Sequence, residues 1–85
     1  MHDVLMTPQS QRDLEQFPSH IQKRILKKLK ENAALENPLV RAERLVNLPP
    51  STHRFRVGDY RVSFYIESSV IVVECIDIRG QAYRR

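Results

Sequence analysis

The chain has 85 residues, of which 41% are apolar and 28% are charged, and this composition excludes a disordered protein and favours one globular domain spanning residues 1–85. Cys75 is the only cysteine, so no internal disulfide can form, and the longest uninterrupted apolar run, Val70 to Val73, is too short to cross a membrane. A net charge of +4 and a pI near 9.6 indicate an anionic partner. We expect a cytoplasmic protein with no membrane contact.

The first half of the sequence predicts one strand followed by two helices. Residues 2–6 form a short apolar segment that ends at Thr7-Pro8, a capping residue followed by a proline suited to a first turn, and a helix over about 8–17 follows. Ser19 and Gln22 form a capping box that begins a second helix, which extends to about residue 35. Its apolar residues recur every four positions, which predicts a face that packs on a sheet: Ile21, Ile25, Leu29 and Ala33. Residues 39–51 are interpreted as a connector with one helical turn.

Residues 53–77 alternate between apolar and polar positions, with interruptions at Gly58-Asp59 and Ser68-Ser69 that predict two hairpin turns. A two-residue first turn fixes the register, because Arg56 then lies opposite Arg61 and Arg54 opposite Ser63. One face, covered by the helices, comprises Phe55, Val57, Tyr60, Val62, Phe64, Ile66, Ile71, Val73 and Cys75. The open face comprises Arg54, Arg56, Arg61, Ser63, Tyr65, Glu67, Val72, Glu74 and Ile76. The predicted fold is α+β: an N-terminal strand and a two-helix hairpin packed on one face of a curved antiparallel sheet of about four strands.

The open face is the candidate site. Placing Arg56 directly opposite Arg61 costs stability, so packing alone does not account for this pair. With Arg54 they form a cluster of three guanidinium groups that can contact one phosphate, and Tyr65 can stack on a base. The alternative is that Glu67 and Glu74 neutralise the arginines in ordinary surface ion pairs.

Other chemistries find little support in the sequence. His2, His20 and His53 lack the spacing of metal ligands, and we expect neither a metal nor a cofactor. Cys75 is expected to be a packed core thiol, and Ser63 has no neighbouring histidine to activate it. The sequence has glycine only at positions 58 and 80, which excludes a glycine-rich phosphate loop.

The segment Arg54-Phe55-Arg56-Val57-Gly58-Asp59-Tyr60-Arg61-Val62 and the ending Arg79-Gly80-Gln81-Ala82-Tyr83-Arg84 resemble the RelE/ParE toxin superfamily. Members typically read R-x-R-V-G-D-Y-R-V in the first segment and end on H-R-x-x-x-Y-R. The preceding helical hairpin matches in order and length, so the resemblance covers nearly the whole chain. It implies a toxin restrained by a cognate antitoxin, with RelE-like members cutting messenger RNA in the ribosomal A site.

The resemblance also implies roles for individual residues. Arg61 would stabilise the phosphate in the transition state, while Arg54 and Arg56 would hold the RNA backbone. Tyr65, from its place on the open face, and Arg84 are further candidate RNA-binding residues. Arg79 and Tyr83 complete the expected catalytic set, with Tyr83 stacking on a base or assisting proton movement at the 2′-hydroxyl. Ile78 replaces the histidine that usually precedes the C-terminal arginine. Strict alternation also places Arg79 on the core side, so a bulge or a strand end is required to bring it to the active face.

Three functions remain open from the sequence. The first is a ribosome-dependent messenger RNA endonuclease, whose partners are an antitoxin, the ribosome and messenger RNA, with operator DNA contacted only through the antitoxin. The second is a ParE-like inhibitor of DNA gyrase. The third is a degenerate, non-catalytic toxin that binds its antitoxin and acts in promoter repression, which the loss of the histidine at Ile78 permits.

Overall fold

Five strands and two α-helices make up the part of the chain that the computed structural model describes, residues 1–78. In chain order they are β1 (Asp3–Met6), α1 (Pro8–Glu15), α2 (Ser19–Ala33), a 3-10 helix (Pro38–Arg41), β2 (Glu43–Arg44), β3 (His53–Val57), β4 (Tyr60–Glu67) and β5 (Val70–Ile78). No helix in residues 1–78 is both long enough and apolar enough to span a membrane.

The strands form one mixed sheet in the order β1-β5-β4-β3-β2. β1 runs parallel to β5, with Asp3 beside Val70 and Met6 beside Val73, and the other pairs are antiparallel. The predicted α+β fold is therefore confirmed, although the sheet has five strands where about four were predicted, and β1 joins it in parallel. The additional strand, β2, is only two residues long, and a segment that short shows no alternating pattern.

The helix starts follow local chemistry. Thr7 caps α1 as predicted, since its Oγ1 accepts a hydrogen bond from the Ser10 N–H at 3.2 Å. The capping box at Ser19 is wrong, because Pro18 is the N-cap residue and its carbonyl already accepts the first helical bond, from the Gln22 N–H at 3.0 Å. The Gln22 side chain donates instead to the Phe17 carbonyl at 2.9 Å.

Both helices cover the same face of the sheet and enclose the core. α1 lies against β5, and α2 lies against β1 and β3. The predicted stripe on α2 is confirmed, with Ile25, Leu29 and Ala33 buried and Ile21 partly buried. From the sheet, the buried members of this core are Phe55, Val57, Val62, Phe64, Ile71, Val73 and Ile76. The first hairpin has the predicted register, with Val57 opposite Tyr60. Gly58 adopts the left-handed conformation, with φ 62, that a two-residue turn requires.

A β-bulge in the middle of β5 reverses the alternation over the second half of the strand. Ser63 lies opposite Cys75, but Phe64 lies opposite Val73, so Glu74 is an extra residue on β5. Cys75 therefore belongs to the open face and Ile76, only 3% exposed, belongs to the core, the reverse of the predicted placement. Val72 is on the open face as predicted, yet it is 6% exposed.

Residues from α1 and its cap hold the bulge. β1 ends at Met6, and beyond this point Thr7 Oγ1 donates to the Glu74 carbonyl at 3.1 Å. Two residues later, the Ile76 N–H donates to Asp13 Oδ2 at 2.9 Å. Side chains of α1 and its cap thus satisfy the edge of β5 where no strand continues beside it.

Asp13→Ala is expected to destabilise the fold by about 1–3 kcal/mol, because it leaves the Ile76 N–H without its acceptor at a part-buried position. For a domain of this size that loss lowers the melting temperature by on the order of 10 °C, measurable by circular dichroism. Asp13→Asn keeps an acceptor oxygen and serves as the matched control. Equal melting of the two variants would contradict a role for this hydrogen bond.

Candidate nucleic-acid interface

The three predicted arginines lie together on the sheet face that the helices leave open. Arg56 is directly opposite Arg61 on neighbouring strands, and Arg54 is opposite Ser63, as the hairpin turn predicted. We call the surface formed by Arg54, Arg56, Arg61, Ser63 and Tyr65 the arginine face. Its position follows from the two-residue turn at Gly58, which sets which side chains share a side of the sheet.

Arg61 is the most enclosed arginine of this face. Only 7% of the residue is exposed, although the open face was expected to leave it accessible. Its Nε donates to Oδ1 of Asp77, the residue directly opposite on β5, at 2.8 Å. A charge-assisted hydrogen bond between two adjacent strands fixes the guanidinium relative to the sheet, so its orientation is set before any ligand arrives.

Arg54 and Arg56 share one carboxylate from the edge strand β2. Arg54 Nε lies 3.0 Å from Glu43 Oε1, and Arg56 Nε lies 3.3 Å from Glu43 Oε2. The Glu43 side chain is 48% exposed, and surface ion pairs of this kind contribute about 0–1 kcal/mol. A phosphate group can therefore compete with the Glu43 carboxylate for these two guanidinium groups.

The acidic partners differ from those proposed in the sequence alternative. In residues 1–78, neither Glu67 nor Glu74 forms a salt bridge with an arginine. Glu67 lies at the far end of β4, opposite Val70, and Glu74 is the bulged residue. Glu43 and Asp77 take their place, so three guanidinium groups face two carboxylates and an anionic ligand meets net positive charge.

Tyr65 occupies the same face further along β4. It is half-buried, lies opposite Val72, and is diagonal to Arg54, two positions from Ser63 on the same strand. Diagonal neighbours on a sheet are roughly 7–8 Å apart, within reach of an aromatic side chain and an arginine. A base stacked on Tyr65 can thus have its phosphate near Arg54.

Cys75 lies on the arginine face opposite Ser63, contrary to its predicted place in the core. Burial raises the pKa of the Cys75 thiol above its usual value of 9.0, and the hydrogen bond with Ser63 only partly offsets this. The group is therefore a neutral thiol near pH 7 and a poor nucleophile.

His53 is on the other face, with its ring 6.1 Å from the ring of Phe64. No group of three or more potential metal ligands occurs in residues 1–78.

The C-terminal members of the predicted site, Arg79, Tyr83 and Arg84, lie outside the described residues. Their roles stay predictions. The sequence required a bulge or a strand end before Arg79, and a bulge does occur, at Glu74. Ile78, where the family pattern has histidine, lies opposite Tyr60 and so shares the helix-covered face of the sheet. On regular strand geometry, residue 78 does not point toward the arginine face.

Sequence reasoning missed the two carboxylates that position the arginines. Asp77 was placed on neither face, since strict alternation without the bulge puts it on the core side, and Glu43 was placed in a connector because β2 is so short. A usable signal for Asp77 was its charge, since an unpaired carboxylate inside the apolar face of β5 would have been costly.

Comparison with known proteins agrees with this fold. Residues 4–83 match the family described as ParE toxin of the type II toxin–antitoxin system parDE. The chain therefore belongs to the ParE toxin family, within the RelE/ParE superfamily, and is the toxin of a toxin–antitoxin system. No curated protein sequence matches the chain significantly.

Solved structures of such toxins are similar to it. One is the RelBE2 toxin–antitoxin complex of Mycobacterium tuberculosis, with a TM-score of 0.79, 25% identity, and coverage of 92% of this chain and 98% of the other. The RelE–RelB complex of Pyrococcus horikoshii has a TM-score of 0.73 and 24% identity, covering 94% and 97%. YafQ of Escherichia coli has a TM-score of 0.62 at 11% identity, covering 98% and 99%. The similarities to the P. horikoshii and E. coli structures, at 24% and 11% identity, concern the fold alone.

Proposed function

We propose that this toxin is a cytoplasmic endoribonuclease that cuts messenger RNA on the ribosome and thereby inhibits translation. The observation that carries the proposal is the arginine face, where Arg61 is fixed by Asp77 beside two arginines that share one exposed carboxylate. Such an arrangement offers preorganised positive charge to a phosphate group, which is what phosphodiester cleavage requires.

In the proposed reaction, the 2′-oxygen of a ribose attacks the adjacent phosphorus and the bond to the 5′-oxygen breaks. The products are a 2′,3′-cyclic phosphate and a 5′-hydroxyl, and the proton lost at the 2′-oxygen is balanced by one gained at the 5′-oxygen. Arg61 meets the negative charge that develops on the phosphorane, while Arg54 and Arg56 hold the flanking backbone. Tyr65 stacks on a base, and Arg79, Tyr83 and Arg84 complete the site as the family resemblance implies.

DNA gyrase inhibition is the second candidate function, because the family that matches is that of ParE toxins. Such a function requires surface complementarity to gyrase and no catalytic groups. It gives no reason for Arg56 and Arg61 to lie opposite each other despite their repulsion.

Induced expression with pulse labelling separates these functions. The proposal predicts that incorporation of labelled methionine falls before incorporation of labelled thymidine. The reverse order would indicate gyrase. If neither falls, the chain is a non-catalytic toxin acting through its antitoxin. Expression of Arg61→Ala under the same conditions is the matched control.

We also propose an antitoxin partner, supported by the similar toxin of M. tuberculosis, which was solved in a toxin–antitoxin complex. Val72 and Ile76, the apolar residues that alternation predicts on the open face, are both buried and cannot anchor this partner. Purification from the native operon is expected to yield a small second protein at equal molar amount. Recovery of this chain alone from that source would contradict the prediction.

A further inference from the structure

A second positively charged site lies between α2 and the turn that joins β3 to β4. It is a cleft of about 390 Å³, and the residues that define its chemistry are Arg24, Lys27, Lys28, Glu31, Arg56 and Gly58. Four of these are cationic and one is acidic. Glu31 lies 3.7 Å from Lys28 and so offsets part of that charge. The cleft therefore carries net positive charge, and we call it the α2 cleft.

Gly58 allows the guanidinium of Arg24 to lie against the turn. A Cβ atom at position 58 would be only 2.9 Å from Arg24 Nη2, closer than real side chains approach. The absence of a side chain at this turn thus leaves room for the Arg24 charge beside the end of β3. Within residues 1–78, neither Arg24 nor Lys27 forms a salt bridge, so both charges are available to a ligand.

The α2 cleft is continuous with the arginine face. Arg56 lines the cleft and also lies opposite Arg61. β2 pairs only with His53 and Arg54, so the edge of β3 at Arg56 and Val57 extends beyond it. An RNA strand leaving the arginine face can follow this edge toward α2 without crossing a neighbouring strand.

We propose that the α2 cleft binds the phosphate backbone of single-stranded RNA next to the segment held by the arginine face. The inference rests on the proposed nuclease function and extends its substrate contact by a second site. A backbone fits the cleft better than an amphipathic antitoxin helix does. Such a helix needs apolar anchors, and Val57, the apolar residue of the lining, is only 2% exposed.

The test is the binding of a fluorescein-labelled decamer of uridine, followed by anisotropy between about 50 and 300 mM salt. The double variant Arg24→Gln/Lys27→Gln is expected to bind about tenfold more weakly near physiological salt. Its slope of log affinity against log salt should be smaller by about 1.4, because each lost phosphate contact removes about 0.7 for single strands. Lys23→Gln/Lys30→Gln is the matched control, since it removes the same charge from the same helix outside the cleft, and it should change the affinity by less than about threefold.

Equal effects of the two double variants would overturn the proposal, because general charge would then explain the binding. Unchanged RNA affinity in the cleft variant, with weaker binding of the co-purified antitoxin, would assign the cleft to a protein partner. The measurement uses neither ribosomes nor cleavage. A cleft-specific effect in a chain that never cuts messenger RNA would therefore contradict the nuclease function and leave the RNA-binding site in place.

Discussion

Replacing Arg61 with alanine is expected to lower the rate of messenger RNA cleavage on the ribosome by about 10²–10³-fold, the usual loss when one preorganised donor to a developing oxyanion is removed. Arg61 is buried near the start of β4 and oriented by Asp77 at 2.8 Å, so its charge is placed for the transition state. The substitution should lower the single-turnover cleavage rate at saturating toxin. The toxin concentration that gives half of this rate should change little.

The control is Arg41→Ala, which removes an exposed arginine from the 3-10 helix and should leave cleavage unchanged. A stability measurement must accompany the kinetics, because Arg61 is buried and its removal should lower the stability of the fold. We expect a loss of about 1–2 kcal/mol, from the packed stem of the side chain and the ion pair. The loss stays small because Asp77, 40% exposed, remains hydrated. Cleavage by the folded variant at near the parent rate would refute the role of Arg61 in phosphate stabilisation.

Val62→Asp is expected to unfold the domain. Val62 has 0% exposure and lies between Phe55 and Ile76 in the middle of the sheet. A carboxylate there has no partner and fills a site closed to water, with a cost above about 4 kcal/mol, comparable with the whole stability of a small domain. Thermal melting followed by circular dichroism should show no cooperative transition.

Val46→Asp makes the same chemical change at a valine that is 75% exposed, and its melting temperature should stay close to that of the parent. Similar melting of the two variants would mean that the helix-covered face of the sheet has been misassigned.

The first hairpin was predictable in detail because its determinants are local. Gly58 supplies the left-handed turn conformation, the turn has two residues, and the alternation on both sides then specifies every pair from Val57 with Tyr60 to Arg54 with Ser63. The apolar stripe of α2 was predictable for the same reason, since its apolar residues recur every four positions within one continuous segment.

The errors arise where distant segments meet. The bulge at Glu74 depends on Thr7 and Asp13, more than sixty residues away in sequence, whose hydrogen bonds satisfy the edge of β5. The alternation of apolar and polar residues along β5 gives no information about these contacts. The parallel pairing of β1 with β5 is likewise a long-range contact.

The same distinction applies to the candidate site. The juxtaposition of Arg56 with Arg61 follows from the hairpin, but the burial of Arg61 and its pairing with Asp77 depend on the bulge that turns Asp77 to the arginine face. Glu43 reaches Arg54 and Arg56 only because β2 adds to the edge of the sheet.

Incubation of the purified chain with ribosomes carrying a defined messenger RNA and an empty A site tests the central claim most directly, with cleavage mapped by primer extension. The account predicts a new 5′ end within the A-site codon that requires both the ribosome and Arg61. Intact messenger RNA under these conditions, together with arrest of DNA supercoiling by purified gyrase, would contradict it.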